Sequence, residues 1–280
     1  GVDDRIADYG FVIVDECHHV GAVSFEKVLS QVKAKYVLGL TATPYRRDGH
    51  QPIIHMQCGP VSHRIKQKDL SAHISASWIF PRVTDFEHAW NDDIKIQDVS
   101  SRMIEDMARN QLIVQDVVES LSEGRFPLIL TERREHLEIL AKLLESKVEV
   151  LFQLHGGVRQ KARREAFEKI KECPEDCRKV ILATGSYIGE GFDAPRLDTL
   201  FLTMPSSFKG KIVQYAGRLH RYHKDKTDIR IYDYVDKKVS VLERMFQRRL
   251  KTYKMLGYEV KSNDTELLFG DRLNNEHVQG

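Results

Sequence analysis

Seven short apolar runs set the terms for this chain: Phe11–Val14, Tyr36–Leu40, Leu128–Leu130, Val148–Leu154, Val180–Ala183, Thr199–Leu202 and Ile229–Tyr232, each bounded by polar turns. Several are apolar at nearly every position, which suits strands buried on both faces. Between them lie helical patterns. Leu137, Leu140 and Leu144 fall at spacings of three and four, and Ala162, Ala166 and Phe167 share one stripe of the segment Val158–Ile170. Strand, helix, strand alternation predicts an α/β fold of parallel sheets.

Two of the runs precede residue 60 and five follow residue 125, so the first sheet is expected to be incomplete and the second nearly whole. From Ser62 to Val99 the pattern is mixed, with a β-like patch at Ile74–Phe80, then Pro81 and a polar stretch from Asp85 to Asp93. This reads as a connector. A long helix is expected over Ser101–Leu121, ended by Glu123–Gly124. Another follows Asp236, with Val241, Leu242, Met245, Phe246 and Leu250 on its apolar side. The expected division is residues 1–65 for the end of a first domain, 66–100 for the connector, 101–238 for a second domain and 239–280 for a terminal helix and tail.

Charge excludes a whole-molecule field: 43 basic against 41 acidic residues leave a formal charge of +2, so any nucleic-acid surface must be local. No apolar run approaches the roughly 20 residues of a membrane span, and GVDDRIADYG lacks the basic start and apolar middle of a secretory signal. The expectation is a soluble intracellular protein without a membrane partner, cytoplasmic and nucleoid-associated if bacterial. Four cysteines, Cys17, Cys58, Cys173 and Cys177, are too few and scattered for a disulfide scaffold and are expected as reduced thiols. The start at Gly1, within about ten residues of a buried-looking strand, reads as a piece of a longer protein.

The first run ends in Asp15-Glu16-Cys17-His18, two carboxylates at the carboxyl end of a parallel strand, where α/β sheets bind ligands. There Asp15 would hold Mg²⁺, usually through water, and Glu16 would polarise the water that attacks a γ-phosphate. Read alone, two acids at a strand end also suit a solvated terminus. Thr41-Ala42-Thr43-Pro44 follows the second run as a turn of small hydroxyl residues. Gln214-Tyr-Ala-Gly-Arg218-Leu-His-Arg221 is read as helical, with Arg218 and Arg221 on one face, an arrangement that neutralises charge on a transferring phosphoryl group. Ala183-Thr184 passes into the Gly-rich stretch Gly189-Glu-Gly191-Phe-Asp193, where backbone amides approach phosphates.

In this order the segments resemble superfamily II helicases and translocases: DECH is similar to motif II, TAT to motif III, the strand ending at Thr131 to motif IV, AT…EGFD to motif V and QYAGRLHR to motif VI. LGLTATPYRRDG is similar to the branch of xeroderma pigmentosum group B-like helicases and restriction-enzyme motors. The resemblance implies RecA-like domains, the first incomplete, with ATP and Mg²⁺ as cofactors and DNA, or RNA, as partner. It further implies nuclease or other domains or subunits in the parent protein. It assigns Asp15, Glu16, His18, Gln214, Arg218 and Arg221 to catalysis, and Asp15, Gly191, Asp193, Arg218 and Arg221 to the nucleotide. Thr41 and Thr43 become coupling residues, and Thr131 and Thr184 contacts to the nucleic-acid backbone. His18, after the acidic pair, is expected to couple the nucleotide site to motif VI rather than to bind a metal.

One departure stands out. No GxxxxGK[ST] occurs in the chain, so motif I, the main cradle of the β- and γ-phosphates, is missing, and the chain alone is expected to hydrolyse little ATP. Further nucleic-acid candidates are Arg133 beside Thr131, and His155-Gly156, which reads equally as a phosphate contact or as a tight turn. Arg248 joins them, forming with Arg244 and Lys251 a basic stripe at helical spacing. Cys173 and Cys177 read as a surface loop, since a structural zinc needs four ligands.

Overall fold

Parallel pairing puts the carboxyl ends of β1 (Phe11–Val14) and β2 (Tyr36–Gly39) on one edge, with Phe11 opposite Tyr36 and Val14 opposite Gly39. The computed structural model describes residues 4–17, 27–41, 51–64, 74–91, 93–157, 160–174, 177–185, 194–206 and 209–261. The chain divides into two units, Gly1–Lys66 and Gln67–Gly280. In the first, Val14, Cys17 and Ile54 form a small core with Val12, Val37 and Cys58, where helix α1 (Gln51–Cys58) covers one face of the sheet. Alternation sends Phe11, Ile13, Tyr36 and Leu38 to the other face, where all four are exposed. A parallel sheet ordinarily covers such residues on both sides.

The second unit is a sheet of seven parallel strands in the order β5-β6-β4-β7-β8-β3-β9. Its members are β3 (Ala76–Val83), β4 (Pro127–Thr131), β5 (Val150–Leu154), β6 (Lys179–Thr184), β7 (Thr199–Leu202), β8 (Asp228–Val235) and β9 (Glu259–Val260). Helices α2 (Ile96–Glu105), α3 (Met107–Ser122), α4 (Arg134–Leu144), α5 (Gln160–Glu172), α6 (Lys209–Leu219) and α7 (Ser240–Met255) make the connections. Every residue of β4, β6 and β7 is buried, as their continuous apolar character predicts.

Two features differ from the sequence expectation. The β-like patch expected within the connector is β3, a full member of the sheet: Phe80 and Phe201 stack on Tyr232 from either side, at ring separations of 4.9 and 4.5 Å. All three sit at matched register on β3, β8 and β7, so cross-strand packing draws the segment in. The single helix expected over Ser101–Leu121 is two. Asp106 leaves the helical region at ψ 103, and its carboxylate accepts the Arg109 amide at 2.9 Å, so it caps α3 and interrupts the run. At the far end Gly124 adopts φ 75 and closes α3 at the expected place, with the Arg125 amide donating back to the Ser120 carbonyl.

Candidate functional site

In the first unit the Leu40 amide donates to the Val14 carbonyl and the Cys17 amide to the Leu40 carbonyl, both at 2.9 Å. These bonds bring Asp15, Glu16 and Thr41 to one edge, as the acidic box requires. Asp15 is exposed, and its Oδ1 accepts the Glu16 amide at 2.9 Å. Glu16 sits at φ 48, the left-handed region, the lone non-glycine there among the described residues. Such a conformation costs of order 1–3 kcal/mol and persists only where its surroundings hold it. The next residue shows what holds it: Cys17 is buried against Cys58 and over Gly39, where an added Cβ would meet the Cys58 Cβ at 2.8 Å and the Cys17 Sγ at 3.0 Å. Burial, followed by the neighbouring Cys58, pushes the Cys17 thiol up to about 11.

The exposed Asp15 carboxylate is a hard oxygen donor of the kind Mg²⁺ takes, while one oxygen of the Glu16 carboxylate is buried. No group of three or more His, Cys, Asp or Glu able to hold a metal occurs among the described residues. His18 and Thr43 lie outside the described residues.

In the second unit the nucleic-acid candidates of β4, β5 and β6 meet on one edge, since these strands are neighbours and Thr131 faces Thr184 in register. Their side chains do not behave as expected. Thr131 is 1 % exposed, its Oγ1 within 3.0 Å of His136 Nδ1 and accepting the Arg133 amide at 3.3 Å. His136 Nε2 in turn reaches Asn110 Oδ1 at 2.9 Å, and Asn110 Nδ2 donates to the Ile104 carbonyl. Burial, with the Arg109 charge, pushes His136 down to about 3, so the imidazole is neutral. Thr184 is also buried, and its Oγ1 has no hydrogen-bond partner among the described residues. Both hydroxyls point into the protein because each ends a strand covered on both faces. At this edge Gly156 is exposed and His155 and Arg133 are half-buried; Arg133 donates to the Gln97 carbonyl at 3.0 Å. Gly157 at φ 101 makes the segment after β5 a tight turn.

Helix α6 carries Gln214 and Arg218, both half-buried, but ends at Leu219. Arg221 therefore lies two residues beyond the helix rather than one turn along its face. The turn-out is fixed by His220, 5 % exposed, whose Nε2 lies 3.1 Å from the Tyr258 hydroxyl with the rings edge to face. Below it Lys226 is buried, and its Nζ donates to the Pro195 and Leu197 carbonyls at 2.7 and 3.0 Å. Burial pushes this amine down to about 8, with Asp198 opposing and Arg196 and Arg221 adding to the fall. Gly191 and Asp193 lie outside the described residues. Arg248 is exposed on α7, where it lines a furrow of ≈ 270 Å³ with Glu243, Arg244, Gln247 and Lys251. It does not join the β4–β6 edge, because α7 packs on α6 and β8. Sequence reasoning missed His136, Asn110, Tyr258 and Lys226; the His136–Asn110, His220–Tyr258 and Lys226–Pro195 contacts each span more than twenty residues, which no local spacing signals.

Residues 109–223 match the helicase conserved C-terminal domain, and residues 3–46 match the type III restriction enzyme res subunit. A protein of Invertebrate iridescent virus 6 named "Putative helicase 161L" is 32% identical over 270 residues, 92% of this chain and 58% of its own length. "Putative ATP-dependent RNA helicase L396" of Acanthamoeba polyphaga mimivirus is 25% identical over 271 residues, 92% of this chain and 49% of its own. The chain thus spans about half the length of these relatives. Among solved structures, S. cerevisiae Dbp5 bound to RNA and ADP BeF3 shares the fold, with a TM-score of 0.57 and 12% identity over 91% of this chain and 60% of that one.

Proposed function

Because this chain belongs to the superfamily II helicases, with RecA-like α/β architecture, we propose that it is the part of an ATP-driven nucleic-acid motor that supplies the acidic box and the arginine-bearing helix. The observation that carries this is the edge of the first unit, where Asp15, exposed, and Glu16, held at φ 48, stand together at the end of a parallel strand. Asp15 would hold Mg²⁺, which supplies charge neutralisation to the phosphates; Glu16 would orient the attacking water. Gln214, Arg218 and Arg221 would meet the γ-phosphoryl group, and His18, Gly191 and Asp193 complete the proposed set. Thr41 and Thr43 would relay nucleotide state. Alternate gripping of a strand backbone, driven by hydrolysis, would then move the protein along it.

The track we propose is duplex DNA, supported by the restriction-subunit match over residues 3–46; the name of the mimivirus relative favours RNA as a second reading. Contacts would go to phosphate and sugar, so sequence preference would be weak. With Thr131 and Thr184 turned inward, exposed Gly156, together with His155 and Arg133, carries the edge, and Arg248 adds a basic surface on α7. Lacking motif I, this chain alone would turn over little ATP. The test is turnover by a longer protein that includes motif I, without nucleic acid and with duplex DNA, single-stranded DNA or RNA. Glu16→Gln should keep ATP binding and lose turnover by at least about 100-fold, of the order seen when catalytic groups are removed. Near-normal turnover in that variant removes Glu16 from its role.

A further inference from the structure

We infer that Tyr215 is a positioning residue that ties α6, and with it Arg218, to the carboxyl ends of β4 and β6 by packing its hydroxyl directly onto the Gly185 backbone. Tyr215 is 4 % exposed and belongs to the main core. A Cβ built on Gly185 would fall on the Tyr215 hydroxyl and lie 3.0 Å from Glu132 Oε1. Gly185 therefore lacks a side chain because the phenol occupies its place. Its φ lies outside the left-handed region, so an alanine there meets no backbone penalty and its cost measures the contact. Glu132, the residue after β4, faces the same point, and its two carboxylate oxygens accept from Lys211 Nζ of α6 at 3.1 and 3.0 Å.

Three segments thus converge: the end of β4 through Glu132, the end of β6 through Gly185, and α6 through Lys211 and Tyr215. Electrostatics agrees with the placement. Burial raises the Tyr215 hydroxyl pKa, the Glu132 charge raises it further, and Arg218 opposes, so the phenol senses both the β4 end and the proposed finger. Immediately before Gly185, Thr184 holds a buried hydroxyl with no hydrogen-bond partner among the described residues. With no side chain at Gly185, the end of β6 meets the Tyr215 hydroxyl directly.

The inference rests on reading α6 as the finger helix, and its test has two arms. In this 280-residue chain, hydrogen exchange is followed for α6 and, as a control, for α4 in wild type, Gly185→Ala, Tyr215→Phe and the double variant. Gly185→Ala should speed exchange in α6 at least about 10-fold while α4 keeps its rate, and adding Tyr215→Phe should restore most of the protection. In the longer protein, Gly185→Ala should lower kcat for nucleic-acid-stimulated hydrolysis about 10-fold with the KM for ATP unchanged, and the double variant should recover it. Exchange confined to β6, or equal effects of Gly185→Ala in both Tyr215 and Phe backgrounds, overturns the inference. If wild type shows no hydrolysis the motor reading falls, while the exchange arm still decides the contact.

Discussion

Replacing Asp233 with alanine should cost the second unit about 3–5 kcal/mol, the penalty for breaking a buried ion pair from one side. The structure sets the size. Asp233 is 0 % exposed and accepts from Arg249 Nε and an Arg249 terminal nitrogen, each at 2.7 Å, and from the Tyr253 hydroxyl at 2.8 Å. Arg249 is 2 % exposed and, once the carboxylate is gone, keeps among the described residues a 3.3 Å bond to the Ser206 carbonyl, the Phe246 ring at 5.7 Å and the charge of Asp236. A buried guanidinium then stands without its paired carboxylate, against a total stability of about 5–15 kcal/mol for a domain. With a urea slope near 3 kcal/mol/M, a loss of about 4 kcal/mol lowers the midpoint by roughly 1.3 M. Trp78 and Trp90, the only tryptophans, both lie in this unit and report its unfolding by fluorescence. Asp233→Leu with Arg249→Met, which removes both charges and keeps much of the volume, should recover most of the loss. A loss below about 1 kcal/mol for the alanine variant, or additive losses in the pair, would refute the assignment of α7's anchorage to this ion pair.

Two further outcomes follow from the buried titratable groups. His136, held neutral with a pKa of about 3 against 6.5 unfolded, binds fewer protons in the folded state between those values, so stability should fall as pH drops from about 6.5 towards 3. The slope is at most about 1.4 kcal/mol per pH unit, and His136→Gln should flatten it; an unchanged slope in urea melts at pH 4.5–6.5 assigns it elsewhere. Cys17, pushed up to about 11, should react with iodoacetamide at pH 7.5 about 100-fold more slowly than a free thiol, and at the ordinary rate in urea. Equal native and denatured rates in peptide mapping would place that thiol outside the core.

Most strands were legible because they are short, largely apolar and bounded by turn residues, and the acidic pair because it follows such a run directly. β3 was legible only as a patch: Ile74, Trp78, Ile79 and Phe80 give it β character, but its place in the sheet depends on Phe80 meeting Tyr232, 152 positions away. The break at Asp106 is carried by a local signal, an N-cap residue type within a helical pattern, which the expectation of one helix over Ser101–Leu121 did not include.

What the sequence determined by itself is therefore what periodicity and order encode: a parallel α/β architecture, the strand ends where chemistry collects, and the family through the succession of its motifs. Tertiary structure alone decided which way the polar groups at those ends point. Thr131 and Thr184 carry hydroxyls that the family resemblance would send to a nucleic-acid backbone, yet both are buried, one in the His136–Asn110 chain and one without a partner among the described residues. It likewise decided that Arg221 stands beyond α6, through His220 and Tyr258, and that Gly185 must lack a side chain, through Tyr215. Apart from Thr131 and His136, these contacts join residues more than twenty positions apart in the chain. Their identity is fixed by which surfaces hydrophobic burial and strand register bring together, and no local pattern carries that information.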